Sequence, residues 1–408
     1  SSAASDVYKR QLTGCSSLGK GVAEAVLEKQ QEADTRVCEI WGKPFVGLSP
    51  YLNNQNGKLK VLMVHGVGNH IPGYATEFSE KLAKELDLPA TASHYKTIYL
   101  TDRFNQNKNL GSLRISRLLS KDQQKELLFY ELTWSAITAK QKEVLAYDNS
   151  GEYSFRRAEV NDLLKKFSND TGPDPIIYLG DSREDILVSF AQAFCWMTKS
   201  NWTQLPSDVT EACSFNEDSK VDNLLNDHYA FVSHSLGSRI TIDGMQRIAS
   251  FINNRDADFR NTFKLKEIPV YMLSNQLPML QLGRKLPDIS NQQANYCQPT
   301  GAKYDERILT KMPVIAFSDP NDLLSYAIPQ GFAEKYLDSR LCINVTNINI
   351  NVAKIFDAFG LGRLANPLEA HVNYDKDDRV IALIAHGLNN LSQPKIIKNR
   401  CHWVETID

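Results

Sequence analysis

Short runs of apolar residues recur along the chain and predict buried strands. Each run is about four to eight residues long and is bounded by turn-forming or polar residues, which is typical of a strand buried on both faces. The clearest runs cover residues 58–64, 126–133, 229–232, 268–273 and 312–317. A further run at 341–346 is more polar, so we expect it near an edge of the sheet. These runs indicate a sheet whose strands are mostly parallel.

Segments with helical spacing alternate with these strands. Within residues 74–87, Phe78, Leu82 and Leu86 recur every fourth position, so they would share one face of a helix. Further helices are predicted at 184–199, 236–254 and 377–390. Strands that alternate with helices predict an α/β fold in which a mostly parallel central sheet carries helices on both faces.

One large domain is predicted at 58–408, with an N-terminal extension at 16–57 before it. Two stretches interrupt the alternation of strands and helices. Residues 135–174 are charged and amphipathic without a strand pattern, and residues 281–310 resemble a long loop. Long segments of this kind often cover an active site, so both are predicted to be lid-like insertions.

The N-terminus contains a possible lipid attachment site. Residues 12–15 read Leu-Thr-Gly-Cys, which resembles the lipobox of bacterial lipoproteins, in which the cysteine is lipidated. Residues 1–11 are too polar to be the apolar part of a signal peptide, so we interpret 1–15 as artefactual or linker sequence with a lipobox-like end. The alternative is a chance match in a tail. Lipidation at Cys15 would make the protein a periplasm-facing lipoprotein of the cell envelope.

Charge and composition limit the classes of binding partner that are expected for this chain. The 408 residues include 46 basic and 48 acidic side chains, mixed along the chain, for a formal net charge of -2. A nucleic-acid partner is therefore not expected. Since no run reaches the roughly 18 apolar residues that span a bilayer, membrane association is predicted only through the possible lipid anchor.

The cysteine count agrees with an oxidising compartment. The chain has seven cysteines, and lipidation of Cys15 would leave six, an even number that can form disulfides. Cys195 and Cys213 are near enough in sequence to be a natural pair, although spacing does not determine the pairing. The alternative is a set of buried thiols in a cytosolic protein.

The most informative motif lies between a predicted strand and a predicted helix. The apolar run that begins at residue 229 leads into Ser-His-Ser-Leu-Gly at 233–237, where a helix begins. A nucleophile on so sharp a turn has a strained backbone, so the residues two before and two after it must be small. Ser233 and Gly237 meet this requirement around Ser235. The arrangement resembles the strand–nucleophile–helix turn of G-x-S-x-G hydrolases, with Ser233 in place of the first glycine.

A His-Gly pair directly follows the first predicted strand. His65 and Gly66 open a glycine-rich segment that runs to His70. In α/β-hydrolases such a pair opens the loop that donates a backbone N–H to the oxyanion. The resemblance implies Val67 as that donor, paired with the N–H of Leu236. The alternatives are a glycine-rich turn with incidental histidines or a metal site. A metal site is not expected, because no carboxylate partner pattern accompanies the histidines.

The triad acid and base are expected later in the chain, in the order Ser, Asp, His. After the strand at 312–317 come Asp319 and Asp322, in a segment that resembles the acid-bearing loop of the family. Asp322 is the chosen acid, and Asp319 is the alternative because an Asp before proline also forms turns. His371 precedes an aromatic residue and the last predicted helix, as the histidine does in that family.

These elements cover residues 58–390 in order and identify the chain as resembling the α/β-hydrolase superfamily. The resemblance implies an α/β-hydrolase fold and an esterase- or lipase-like serine hydrolase, with Ser235 as nucleophile, His371 as base and Asp322 holding the imidazole. It implies no cofactor and a small ester or lipid as substrate, and it leaves the oligomeric state open. Further substrate-binding residues are expected next to the nucleophile and in the glycine-rich loop: His65, Gly66 and His234.

Other interpretations of the same sequence exist. The Gly-Asp-Ser at 180–182 resembles GDS-type esterases, but it lies mid-chain before a helix, so Ser182 is predicted to cap that helix. His386 lies within a helical pattern and His402 lies close to the terminus, which makes both weaker bases. A non-catalytic scaffold that binds a ligand or protein at the envelope, or an acyltransferase that uses Ser235, would keep the same fold.

Overall fold

The computed structural model describes residues 36–53, 58–89, 94–151, 153, 155–214, 221–255, 257–357, 363–388 and 393–404. Within these residues, eleven strands form one sheet in the order β13-β1-β10-β9-β8-β7-β2-β5-β4-β3-β6, and β11 and β12 form a separate hairpin. The strands are β1 (Cys38–Gly42), β2 (Leu59–Val64), β3 (Tyr95–Thr101), β4 (Asn109–Leu119), β5 (Glu126–Thr133), β6 (Val209–Glu211), β7 (His228–His234), β8 (Val270–Leu273), β9 (Met312–Ser318), β10 (Ile343–Ile350), β11 (Ile355–Asp357), β12 (Arg363–Ala365) and β13 (Cys401–Trp403).

Helices connect most of these strands. They are α1 (Thr76–Glu85), α2 (Ala136–Lys142), α3 (Glu159–Thr171), α4 (Pro173–Leu179), α5 (Ser182–Lys199), α6 (Val221–Asn226), α7 (Leu236–Asn253), α8 (Ala257–Lys264), α9 (Leu277–Gln281), α10 (Gln293–Cys297), α11 (Phe332–Tyr336), α12 (Pro367–Val372), α13 (Asp378–His386) and α14 (Lys395–Arg400). Short 3-10 turns occur at Ser49–Asn53, Glu143–Asn149, Tyr304–Glu306, Ser339–Leu341 and Asn373–Lys376.

The central strands are buried on both faces, as their continuous apolar runs predict. In β2, Leu62 and Val64 belong to one hydrophobic core, and Val61 and Met63 belong to the other. Helices α5 and α7 cover the first face, and α1 and α13 cover the second. Strands β10, β9, β8, β7, β2 and β5 are parallel to their neighbours within this set. The prediction of an α/β fold with a mostly parallel sheet and helices on both faces is confirmed.

The sheet also contains antiparallel pairs that the apolar runs did not predict. Strand β4 is antiparallel to both β3 and β5, and β1 is antiparallel to β10. The run at 341–346, expected near an edge, forms β10, which is third from one end of the sheet and lies between β9 and β1. Its polar residues are accommodated there partly by side-chain bonds, such as those between Asn347 and the backbone of Ile328.

The two predicted insertions differ in structure. Residues 135–174 contain α2, a 3-10 turn, α3 and the start of α4, and residues 281–310 consist mostly of loops around α10. Part of the predicted N-terminal extension belongs to the sheet, because β1 pairs with β10 and β13. The expected lipidation site Cys15, together with the rest of residues 1–35, lies outside the described residues.

Six cysteines form three disulfides in the described part of the chain. The pairs are Cys38–Cys401, Cys195–Cys213 and Cys297–Cys342. The expected Cys195–Cys213 pair is therefore present, and the set is consistent with folding in an extracytoplasmic or secreted setting. Each helix in the described ranges is too short or too polar to cross a bilayer.

Candidate active site

Ser235 lies on the sharp turn between β7 and α7. Its backbone angles are φ 55° and ψ -123°, a conformation that L residues rarely adopt and that costs about 1–3 kcal/mol. A Cβ at Gly237 would lie 2.4 Å from the carbonyl oxygen of Val64, and one at Gly66 would lie 2.7 Å from Cβ of Ser235. Glycine is therefore required at both positions for the two chain segments to approach each other.

Ser235, His371 and Asp322 are brought into one hydrogen-bonded row. His371 Nε2 lies 3.1 Å from Ser235 Oγ, and His371 Nδ1 lies 2.9 Å from Asp322 Oδ1. These contacts fit a neutral imidazole that carries its proton on Nδ1 and accepts the serine hydroxyl proton at Nε2. The three side chains come from the start of α7, from α12 and from the loop after β9. Residues far apart in sequence thus meet at the carboxyl ends of the central strands.

Ser274 is an additional member of this row that the sequence did not single out. Its hydroxyl lies 2.7 Å from Asp322 Oδ2 and 2.9 Å from His371 Nδ1. The residue directly follows β8 and has φ 53°, so a strained turn holds it between the acid and the imidazole. Its position at the end of a buried strand, at the same sheet edge as Ser235, was the available sequence signal.

The carboxylate of Asp322 is held in its ionised form. It accepts hydrogen bonds from the Leu324 amide at 3.0 Å and from the Tyr374 hydroxyl at 3.3 Å. Burial by itself raises the pKa of Asp322, but the hydrogen bonds from His371 and Ser274 outweigh burial and lower the pKa below its usual value. An ionised acid can hold the imidazole in one orientation.

Asp319, the alternative acid, points to a different part of the loop. One of its carboxylate oxygens accepts hydrogen bonds from the amides of Val352 and Ala353 at 2.6 and 3.1 Å, and the other accepts from the Asn321 amide at 2.8 Å. These bonds tie the acid loop to the segment after β10. The structure therefore brings Asp322, and not Asp319, to the imidazole.

His234, which was predicted to contact substrate, binds the backbone of His371. Its Nε2 donates a hydrogen bond to the backbone carbonyl of His371 at 2.8 Å. Burial and the neighbouring His371 lower the pKa of His234 to about 3, so its ring is neutral at physiological pH. The contact positions the start of the turn after α12 relative to the nucleophile.

His65 lies beneath the glycine-rich loop and is only 1% exposed. Its Nε2 accepts a hydrogen bond from the Trp134 amide at 3.1 Å, and its Nδ1 donates to the Gly66 carbonyl at 2.8 Å. Its ring stacks between Trp134 and His70. Burial lowers the pKa of His65 well below its usual value. His65 thus has a supporting position, not the open position that substrate binding requires.

The glycine-rich loop is held by the insertion at 135–174. The Gly68 amide donates to Asp174 Oδ2 at 2.7 Å, and the next amide, that of Asn69, donates to Asp170 Oδ2 at 3.2 Å. Asp174 is fully buried and also binds Lys142 Nζ at 2.9 Å. Within the described residues, the amide of Val67 has no hydrogen-bond partner. The two aspartates therefore hold the loop directly after Val67, and the Val67 N–H remains available to a ligand.

Two alternatives that the sequence raised concern Ser182 and a metal site. Ser182 is the first residue of α5 and not its N-cap, because the N-cap residue is Asp181; the Ser182 hydroxyl accepts a hydrogen bond from Gln141. The structure does not bring Ser182 to the row of Ser235 and His371. Among the described residues there is no group of three or more His, Cys, Asp or Glu side chains placed to hold a metal ion.

No family model, no curated protein and no solved structure matches this chain significantly.

Proposed function

We propose that this protein is a serine hydrolase with an α/β-hydrolase fold that cleaves a carboxylic ester. The observation that carries the proposal is the row Ser235–His371–Asp322, with Ser235 on a strained turn between a buried strand and a helix. The order Ser, Asp, His along the chain is that of the α/β-hydrolase superfamily. The mostly parallel sheet supports the assignment, since the nucleophile follows one of its central strands.

The proposed reaction proceeds through an acyl-enzyme. Ser235 Oγ attacks the ester carbonyl carbon while its proton passes to His371 Nε2. The tetrahedral intermediate collapses, the C–O bond to the leaving alcohol breaks, and the alcohol takes the proton from His371. Water, deprotonated by the same nitrogen, then attacks the acyl carbon and releases the carboxylic acid and free Ser235. Asp322 stabilises the imidazolium that forms in each half of the reaction.

The developing oxyanion needs preorganised N–H donors. Leu236 is the first residue of α7, so its N–H has no acceptor within the helix. The Val67 amide is available as the second donor, in the loop whose Gly66 packs against Ser235. Each such donor is worth about 10²–10³ in turnover. The helix N-terminus adds a favourable dipole.

An active-site fluorophosphonate tests the proposal directly. Ser235 Oγ should displace fluoride from phosphorus, and peptide mass spectrometry should find the adduct on the peptide that contains Ser235. Ser182→Ala is a matched control, because it removes the other motif serine without touching the row, and it should label like the wild type. Absence of labelling, or an adduct on Ser182, would contradict the proposal and favour a non-catalytic scaffold or a different nucleophile.

Asp174→Ala should lower turnover although Asp174 contacts neither the nucleophile nor the imidazole. The substitution removes the acceptor of the Gly68 amide and leaves Lys142 without its closest carboxylate. We expect kcat to fall about 10- to 100-fold with little change in KM, because the loop that presents the Val67 N–H loses its anchor. Ester kinetics and a melting curve measure the two effects separately.

Asp162→Ala is the control for this prediction, since Asp162 lies on the same insertion and makes only partly exposed ion pairs with Lys166 and Arg157. It should leave kcat within about twofold. A lower melting temperature of the Asp174 variant with unchanged kcat would show that Asp174 has a purely structural role.

The loops that carry the acid and the base expose apolar side chains. Leu323, Leu324 and Tyr326 follow Asp322, and Leu368 and Val372 lie on α12 with His371; all five side chains are at least partly exposed. Exposed apolar side chains on the loops that carry the acid and the base are placed to contact an apolar part of a ligand. They favour an ester with an apolar acyl or alcohol chain.

We therefore expect kcat/KM for p-nitrophenyl esters to rise by about fivefold to tenfold from acetate to hexanoate. Full burial of the four added CH₂ groups, at about 0.8 kcal/mol each, would give roughly 200-fold, but side chains as exposed as these bury the acyl chain only in part. Leu323→Ser, at a side chain that is 74% exposed, should reduce this gain. Leu265→Ser is the control, since Leu265 is also exposed but precedes β8 at the opposite edge of the sheet. If both variants lost the same part of the rise in kcat/KM, the exposed apolar side chains near Asp322 would not be the ones that contact the acyl chain.

The location of the protein is proposed on separate grounds. The disulfides agree with an oxidising compartment, and the lipobox-like residues 12–15 indicate the cell envelope. We propose a periplasm-facing lipoprotein that acts on a small ester or lipid. Metabolic labelling with a fatty-acid analogue, compared between the natural chain and Cys15→Ala, tests the anchor.

A further inference from the structure

Three arginines surround one buried carboxylate on the nucleophile helix. Asp243 on α7 is bound by Arg239 at 2.8 Å, by Arg284 at 2.6 Å and by Arg183 at 3.2 Å. The Tyr178 hydroxyl donates to the same carboxylate at 2.7 Å. We call Arg183, Arg239 and Arg284 the arginine cluster. Its members come from α5, from α7 and from the loop after α9.

The cluster carries more positive charge than its partners neutralise. Arginine stays protonated in proteins, so three guanidinium groups face one carboxylate and leave an excess of two positive charges. Burial lowers the pKa of Arg239, and the nearby Arg284 lowers it further, while Asp243 opposes both. A buried, uncompensated charge is costly. An ion-pair network that only held these helices together would therefore need fewer arginines.

Several buried donors of the cluster have no acceptor within the described residues. They are Nε of Arg183, Nε of Arg239, Nη1 of Arg284 and, beside them, Nε2 of Gln281. The Gln281 carbonyl oxygen accepts from Arg239 Nη1 at 2.8 Å, which leaves its amide nitrogen free. A buried N–H without an acceptor costs about 1–3 kcal/mol. Asp243 Oδ1, 2.8 Å from Arg239 Nη2, likewise lacks a well-aligned hydrogen bond. The three guanidinium groups nevertheless carry more donors and more positive charge than Asp243 and Gln281 match, and this excess favours an anion.

The cluster lies on the nucleophile helix and reaches the surface. Asp243, the carboxylate at its centre, follows Ser235 by eight residues, about 12 Å along the helix axis. The side chains are 3% exposed at Arg239, 13% at Arg284 and 39% at Arg183, so exposure increases outward. An anionic group that enters past Arg183 therefore meets the guanidinium groups about 12 Å along the helix from the nucleophile.

We infer that the arginine cluster binds an oxyanion, namely a phosphoryl or carboxylate group. Planar guanidinium groups suit such ligands, because they donate two parallel N–H bonds to two oxygens. The inference rests on the proposed function and extends to the substrate: an ester whose anionic group lies about 12 Å from its scissile bond. Free phosphate and a phosphorylated ester present the same chemistry, and the two arms below separate them.

The first arm measures binding without any catalysis. Inorganic phosphate is titrated against wild type at constant ionic strength with chloride as the reference, and the melting temperature is followed. At a phosphate concentration about tenfold above Kd we expect a rise of about 2 °C. Arg284→Gln and Arg183→Gln should abolish most of this rise. Arg247→Gln, on the same helix but paired with exposed Glu184, should keep it. No rise, or an equal rise in all variants, would overturn the inference.

The second arm compares two aryl esters that differ only in a phosphate group on the acyl chain. Wild type and Arg247→Gln should prefer the phosphorylated ester in kcat/KM, and Arg284→Gln should lower that preference about tenfold. Phosphate binding without any preference would overturn the substrate role and assign the site to a free anion. If neither ester is hydrolysed, the proposed function fails, whereas the first arm still decides whether the cluster binds an oxyanion.

Discussion

Ser235→Ala should abolish ester hydrolysis almost completely. Removal of Oγ leaves no nucleophile for the acyl-enzyme, because the other hydroxyl beside His371, that of Ser274, lies at Nδ1 and not at Nε2. Loss of a triad serine in other hydrolases reduces turnover by about 10⁴- to 10⁶-fold, and the residual rate comes from the oxyanion donors and substrate binding. A similar loss in kcat on a short-chain aryl ester is expected here.

The control for this prediction is Ser250→Ala, at an exposed serine on the same helix. It should retain turnover within about twofold, because a surface substitution away from the site has little effect. Melting curves for both variants show that each is folded. If the Ser235 variant kept a tenth or more of the wild-type kcat, the assigned nucleophile would be wrong.

Asp322→Asn should have the second largest effect, a fall in kcat of about 10⁴-fold. An amide in this place can donate to His371 Nδ1, which favours the tautomer that carries its proton on Nε2. That tautomer can no longer accept the proton of Ser235. The loss of negative charge also removes the stabilisation of the imidazolium. Steady-state kinetics on the same ester, with the fluorophosphonate labelling rate as a second measurement, quantify the effect.

Asp319→Asn is the matched comparison, since it makes the same change three residues earlier in the same loop. Its carboxylate accepts amide hydrogen bonds from the segment after β10 and does not contact the imidazole. We expect kcat within about tenfold of wild type and a free energy of unfolding lower by about 1–3 kcal/mol. If Asp319→Asn lost activity and Asp322→Asn kept it, the triad acid would be Asp319 and not Asp322.

Much of the central sheet was predictable because its strands are buried on both faces. Runs such as 126–133 contain so many apolar residues that burial alone indicates a strand, and β5 has those bounds. Strands β3 and β4 were missed. Polar residues such as Arg114, Ser116 and Arg117 interrupt the apolar pattern of β4, and the strand forms because it pairs antiparallel with both neighbours. Strand formation of this kind depends on distant partners more than on local preference.

The candidate site was predictable where a local backbone demand restricts the residue types. The turn at 233–237 requires small residues around its centre, and that requirement is visible in sequence. The choice between Asp319 and Asp322 was not predictable from the sequence, since both residues follow the same strand within a few positions. Ser274, Asp174 and the arginine cluster were also missed, because nothing in their local sequence shows which distant groups they contact.

The amino-acid sequence by itself determined the alternation of strands and helices and the strained turn at Ser235, because burial and steric restriction act over a few neighbouring residues. Only the tertiary structure decided that Asp322 reaches His371, that Asp174 anchors the glycine-rich loop and that arginines from two other segments reach the carboxylate on the nucleophile helix. These contacts join segments dozens of residues apart, so they exist only once the sheet has brought the strand ends together. Hydrogen bonds and ion pairs act over a few ångströms, and no local pattern encodes which partner will lie within that distance.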